Sequence, residues 1–197
     1  ADGLLFTSAE LAEAWRAAGL IRAGMPVYGV PEASRAIERM PAERARALSG
    51  VACDPAVVWV GHLDANKDPL TALDGFARAL EQLPGARLTM LFGKAELLPA
   101  VRERLAGSPA LAERVTLRGP VPHAQIASYL SAADVFLLAS RRESCGFALI
   151  EALLCGAAPA VTDIPAFRAL AACAPHAQLW RAGDPAALAL AALAGCE

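Results

Sequence analysis

Residues 134–162 read DVFLLASRRESCGFALIEALLCGAAPAVT. A short apolar run at 134–139 gives way to a charged loop, then to a stretch at 147–154 with a glycine stop at 156, then to a second apolar run at 159–162. Apolar runs without strict alternation suit strands covered on both faces, and two such strands joined through a helix form a parallel βαβ unit. The same grammar extends in both directions. Further strands are expected at 57–63, 87–92, 114–118 and 178–180, and further helices at 69–82, 95–106, 123–132, 165–172 and 185–194. Asp68 before Pro69 marks one helix start, because the carboxylate can accept from free amides and proline sits where no donor is needed. Six strand and helix pairs in succession specify an α/β chain with a Rossmann-like, doubly wound parallel sheet in three layers, since a barrel takes about eight.

Residues 1–50 differ. GLLFTS reads as a strand, AELAEAWRAAGL as a helix, MPVYGV as a second strand, and 31–50 as a polar linker. One βαβ unit cannot bury its own apolar surface, so it must dock on the larger body or belong to a domain that is mostly elsewhere. Its unpaired strand edges could also support a homodimer through 1–43.

With 56% hydrophobic and 19% charged residues the chain is a core former, and a net charge of -2 gives no footprint for nucleic acid. The five cysteines, at 53, 145, 155, 173 and 196, show no metal-ligand spacing and no disulfide framework. No metal is expected. The first residues do not read as a secretory signal, and the apolar run at 185–196 is shorter than the roughly 20 residues of a membrane span, so a cytoplasmic protein is expected.

In open parallel sheets ligands bind outside the carboxyl ends of the strands. Two loops there stand out. In GHLDANKD, Lys67 precedes a helix amino terminus, where a cation is electrostatically misplaced unless an anion is shared with it. In RRESCGFALIEALLCG, Glu143 lies in the loop and Glu151 eight positions later on the helix, while the free amides of Gly146, Phe147 and Ala148 open that helix. Such a set offers donors for a pyrophosphate and carboxylates for sugar hydroxyls. The residues alone also permit a solvated loop lysine and a half-exposed helix glutamate. His123 reads as a helix cap, His176 as a surface residue, and Arg141 and Arg142 as solvated side chains.

Taken together, VVWVGHLDANKDPLTAL, VTLRGPVPHAQIASYLSAADVFLLAS and RRESCGFALIEALLCGAAPAVTDIPAFR resemble the retaining glycosyltransferases of family 4, over about 120 residues. The glutamate, seven residues, glutamate and ALLCG string is the most specific part. These enzymes pair two Rossmann-like domains in a GT-B architecture, and the match falls on the carboxyl-terminal, donor-binding one. The resemblance implies a donor-binding domain at 44–197, with 1–43 as a remnant of the amino-terminal, acceptor-side domain and VPEAS at the start of the linker. It implies that Lys67 contacts the donor diphosphate, Glu143 the transferred sugar and Glu151 the ribose. Gly61, Cys145, Gly146, Phe147 and Ala148 would line the donor site, and Pro120 and Val121 would lie beside the base. Lys67, Glu143 and His62 become the candidate catalytic residues, with no cofactor and no metal.

His62 stands where the family usually has arginine, the second positive charge on the leaving diphosphate, and histidine offers no bidentate fork. Cys145 is a smaller departure. The implied activity is transfer of a hexosyl group from a nucleoside diphosphate sugar to an acceptor hydroxyl, with retention and with poor activity for these residues alone. A full-length enzyme could be peripheral to a membrane, and the alanine and arginine content suits a bacterial source. Two other readings stay open: a sugar-nucleotide epimerase of the same architecture, and a non-catalytic nucleotide-sugar-binding module.

Overall fold

The structure, a computed structural model, describes residues 2–30, 37–51, 55–172, 174 and 176–185. The linker start at 31–34, the helix expected at 185–194, and Cys53, Cys173 and Cys196 fall outside these residues, wholly or largely. A small unit comes first: β1 (Leu4–Phe6), α1 (Leu11–Ala17) and β2 (Val27–Gly29), with the two strands paired in parallel. Next comes α2 (Ala42–Ser49), and then β3 (Ala56–Gly61), α3 (Pro69–Ala79), β4 (Arg87–Phe92), α4 (Leu98–Ala106), α5 (Pro109–Arg114) and β5 (Val115–Gly119). The chain continues through α6 (His123–Ala132), β6 (Val135–Leu138), α7 (Phe147–Cys155), β7 (Ala158–Thr162), α8 (Pro165–Ala171) and β8 (Gln178–Trp180).

The main sheet is six-stranded and every pairing in it is parallel, in the order β5-β4-β3-β6-β7-β8. The chain first winds outward from β3 to β5, then returns past β3 to β6 and winds outward the other way. Right-handed crossovers therefore set α3, α4 and α5 on one face and α6, α7 and α8 on the other. The contacts agree, with α3 against α4 and α5, and α6 against α7, which meets α8. Between the layers Trp59, Phe76, Phe136 and Phe167 are fully buried. Burying an aliphatic or aromatic side chain of this kind contributes roughly 1.5–3 kcal/mol each, so the sheet order rests mainly on this core.

Three elements depart from the sequence reading. The polar segment taken as linker contains α2, which packs on α6; its Arg46 lies 3.6 Å from Asp134, whose other oxygen accepts from the amide of Ala56 at 2.7 Å. A charged helix thus ties the starts of β3 and β6 together. The helix expected from 95 begins at Leu98, with Pro at its start. Ahead of β5 lies α5, opened by Ser108 and Pro109, so β5 covers 115–119 rather than 114–118.

Among the described residues, side-chain hydrogen bonds tie the amino-terminal unit to the main body at two places. Thr7 donates its hydroxyl proton to the carbonyl of Ser144, and Arg168 of α8 bridges Glu10, at 2.7 Å, and Asp163. Much of the unit's apolar surface stays uncovered: Leu5 is 72% exposed, and Trp15, Tyr28 and Val30 are exposed too.

Candidate functional site

The strand order reverses between β3 and β6, and the loops leaving these two neighbours part to opposite faces, opening a crevice. The two loops are laced across it. The amide of Arg141 donates to the carbonyl of Asn66 at 2.8 Å, and the side-chain amide of Asn66 donates to the carbonyl of Arg142 at 3.0 Å. The Arg141 guanidinium donates twice to one oxygen of Asp68, at 2.8 and 3.0 Å. Asp68 carries the single positive φ outside glycine among the described residues, 44°, and its side chain caps α3 through the amide of Thr71. Asp64 closes a turn on the amide of Lys67 at 2.8 Å. Two carboxylates thus hold the backbone on either side of Lys67, and the ammonium pairs with Glu143 from the opposite loop. Both side chains of that pair are mostly buried, 18% and 12% exposed.

A cleft of about 340 Å³ opens beside this pair. Gly61, His62, Lys67, Pro120, Val121 and Ala148 line it, so six of the residues expected at the site converge on one space. Close packing beneath requires the glycine, because a Cβ at 61 would stand 3.0 Å from the buried ring of Trp59. His62 accepts a hydrogen bond at Nδ1 from the amide of Lys94, 3.2 Å away, which favours the tautomer with its proton on Nε2. Sequence reasoning missed the apolar floor of the cleft, Leu91, Phe92 and Ile126. Leu91 and Phe92 end β4 next to a register shift at Met90/Leu91, so the carboxyl-end rule that singled out the other loops could have found them.

Glu143, Cys145, Gly146, Phe147 and Glu151 stand off the cleft wall. Glu143 reaches the cleft through Lys67. Gly146 is the left-handed residue before α7, and a Cβ there would meet the fully buried ring of Phe167 at 2.9 Å. The first carbonyl-bound amide of α7 is that of Leu149, leaving those of Gly146, Phe147 and Ala148 without hydrogen bonds among the described residues. Phe147 itself is 47% exposed. Glu151 sits one turn past Ala148 on the same face of α7, with its side chain 10% exposed, and His123 Nε2 approaches its Oε1 to 2.8 Å. That contact corrects the sequence reading of His123, since the N-cap of α6 is Pro122 and the histidine caps nothing. Arg141 is 59% exposed, as expected of a solvated side chain, and it also pairs with Asp68.

Chemically, the arrangement concentrates donors. An ammonium, a ring N–H and three free helix amides suit a group that carries or develops negative charge, and the apolar floor suits a flat ring. Burial pushes the Cys155 thiol up, with Glu151 adding to the shift, so this cysteine is a packed neutral side chain. Among the described residues no three His, Cys, Asp or Glu side chains gather as a metal ligand set, and no helix is long and apolar enough to cross a membrane.

Residues 54–195 match the family model described as Glycosyl transferases group 1. A D-inositol 3-phosphate glycosyltransferase of Mycobacteroides abscessus is 36% identical over 128 residues, covering 61% of this chain and 28% of the relative. The chain therefore matches little more than a quarter of that protein's length. Sucrose-phosphate synthase from Thermosynechococcus elongatus superposes with a TM-score of 0.76 at 23% identity, over 99% of this chain and 52% of that one. HepE of Anabaena, solved in complex with UDP and glucose, gives 0.78 at 20% identity, over 100% of this chain and 54% of that one.

Proposed function

Because the chain belongs to the Glycosyl transferases group 1 family and has the GT-B glycosyltransferase fold, we propose that residues 44–197 form its donor-binding half. The substrate is a nucleoside diphosphate sugar, and the complete enzyme moves a hexosyl group to an acceptor hydroxyl with retention. The observation that carries this reading is that Lys67, paired with Glu143, and Ala148 in the first turn of α7 line one cleft at the switch point. The UDP held by the structural neighbour HepE favours uridine as the nucleoside.

In this mechanism the diphosphate enters between Lys67 and the free amides of 146–148 and takes the ammonium from Glu143. The carboxylate so released accepts from hydroxyls of the transferred sugar. Negative charge grows on the departing phosphate, where fixed donors act most strongly in a dry site. His62 adds one Nε2–H donor. These donors do the work of a metal, and no protein base is needed if the leaving phosphate takes the acceptor proton. Pro120 and Val121 hold the base, and Glu151 the ribose. The relatives contribute about as much chain again or more, so the 197 residues alone bind donor and transfer sugar poorly. A cytoplasmic site of action, peripheral association of the full-length enzyme with a membrane, and pairing of two copies through 1–43 belong to the same proposal; the exposed apolar side chains of that unit support its need for a covering partner.

Titrating the chain with UDP, GDP and ADP and their glucose forms tests this reading. Binding of one nucleotide pair, weakened in Lys67→Ala, is the expected result; no binding by any, or robust hexosyl transfer by the isolated chain, contradicts it. His62 favours a second reading, a nucleotide-sugar-binding module without transfer. In the chain joined to a complete acceptor half, a gain of transfer in His62→Arg speaks for the enzyme, and binding without transfer in either form speaks for the module.

A further inference from the structure

We infer that His123 is a positioning residue for the nucleoside end of the donor, acting through Glu151. The inference rests on the assignment of Glu151 to the ribose. The Glu151 carboxylate is nearly buried, and Oε1 is engaged by His123 Nε2 at 2.8 Å while Oε2 makes no hydrogen bond among the described residues. A glutamate has three rotatable side-chain bonds, and one fixed oxygen leaves the other aimed in a single direction. Donation to a carboxylate requires the proton on Nε2, so the pair also fixes the tautomer of the ring.

The placement of the histidine points to the ligand rather than to the scaffold. His123 opens α6 two residues after Val121, and Ile126 on its next turn lines the cleft with Val121 and Ala148. The ring is 55% exposed while the carboxylate it holds is 10% exposed, so the histidine is open to solvent on the side away from the pair. The packing of α6 and α7 has other supports, because Leu130 of α6 and Leu149 and Ala152 of α7 are fully buried in the apolar core and Cys155 Sγ of α7 approaches the carbonyl of Ala127 at 4.0 Å. In a structure held together by those apolar contacts, a hydrogen bond that spans two helices beside the cleft serves to preset an acceptor for ribose hydroxyls before the nucleotide arrives.

The test is calorimetric titration of the 197-residue chain with UDP and with 2′,3′-dideoxyuridine diphosphate, which lacks the hydroxyls. The native chain should prefer UDP by about tenfold or more, the effect of a hydrogen bond to a charged group. His123→Ala should weaken UDP about threefold to tenfold and leave the dideoxy compound unchanged, collapsing the preference. His123→Gln, which can place an amide donor near Nε2, should restore part of it, and His123→Ala should have no further effect in a Glu151→Ala background. His123→Phe keeps the ring volume without the donor and gives the same reading should the alanine variant unfold. If Glu151→Ala abolishes the preference and neither His123→Ala nor His123→Phe alters it, His123 is a tether and the positioning role is overturned. If Glu151→Ala leaves the preference intact, or UDP does not bind, the ribose assignment falls and takes this inference with it.

Discussion

Replacing Lys67 with alanine probes the switch point through two opposed effects. In the proposed mechanism the ammonium would supply a charge-assisted hydrogen bond to the diphosphate, and losing it would cost about 1.5–3 kcal/mol of binding. The same group is held by Glu143, with the two side chains 18% and 12% exposed. Parting such a mostly buried, charge-assisted pair costs about 1.5 kcal/mol, which the variant no longer has to supply. Against that, a bare Glu143 carboxylate facing an incoming phosphate opposes binding by about 1 kcal/mol at a separation near 4 Å in wet surroundings. The sum is a loss of about 2 kcal/mol, close to a thirtyfold rise in Kd for UDP. The partner variant separates the effects. Glu143→Gln removes both the competing partner and the repulsion, so it should tighten UDP about threefold to tenfold while removing any added affinity contributed by the sugar of a UDP-sugar. Calorimetry on the two single variants and the double variant reads all three values. Unchanged affinity in Lys67→Ala, or UDP binding weakened equally in Glu143→Gln, would refute the handover of the ammonium from carboxylate to phosphate.

Asp68→Ala loses the cap on Thr71 and places alanine at φ 44°, so it should destabilise the fold by about 2 kcal/mol, whereas Asp68→Asn, which tolerates that φ and still accepts, should cost under about 1 kcal/mol; urea denaturation checks both. Gly146→Ala forces a Cβ against Phe167 at positive φ, so it should displace the start of α7 and weaken UDP binding by at least about tenfold, read by titration alongside a melting curve. The Cys155 thiol is raised by burial, so its contribution to stability is whole below the ordinary thiol range and falls as pH climbs through it, because the unfolded chain ionises first. Urea midpoints measured between about pH 8 and pH 10 should therefore drop more steeply for the native chain than for Cys155→Ala, and equal slopes would show that the thiol is not raised.

The sheet was legible in the sequence because its strands are apolar on both faces and its helices are punctuated by Asp68–Pro69, Gly156 and Pro165. Their order in space follows from winding and crossover handedness, which the run of alternating elements constrains. Two helices escaped. The α2 segment is charged and short of apolar periodicity, and it is helical because it packs on α6 rather than through its own pattern. The α5 start, Ser108–Pro109, carried the same cap-and-proline signal as Asp68–Pro69 and was hidden by the brevity of the helix. At the site, Lys67 drew notice as a charge placed before a helix start, and Glu143 and Glu151 through the family resemblance, since their spacing alone says little. Neither the lacing of Arg141 to Asp68 nor the contact of His123 with Glu151 leaves a sequence signal, since each joins residues far apart in the chain through side chains alone.

A crystal structure of this chain with UDP-glucose would measure the central claim most directly. The diphosphate should lie within hydrogen-bond distance of Lys67 Nζ and of the amides of residues 146–148, with Glu143 turned from the ammonium to the sugar hydroxyls. A nucleotide bound elsewhere, with the Lys67–Glu143 pair still closed, would contradict it.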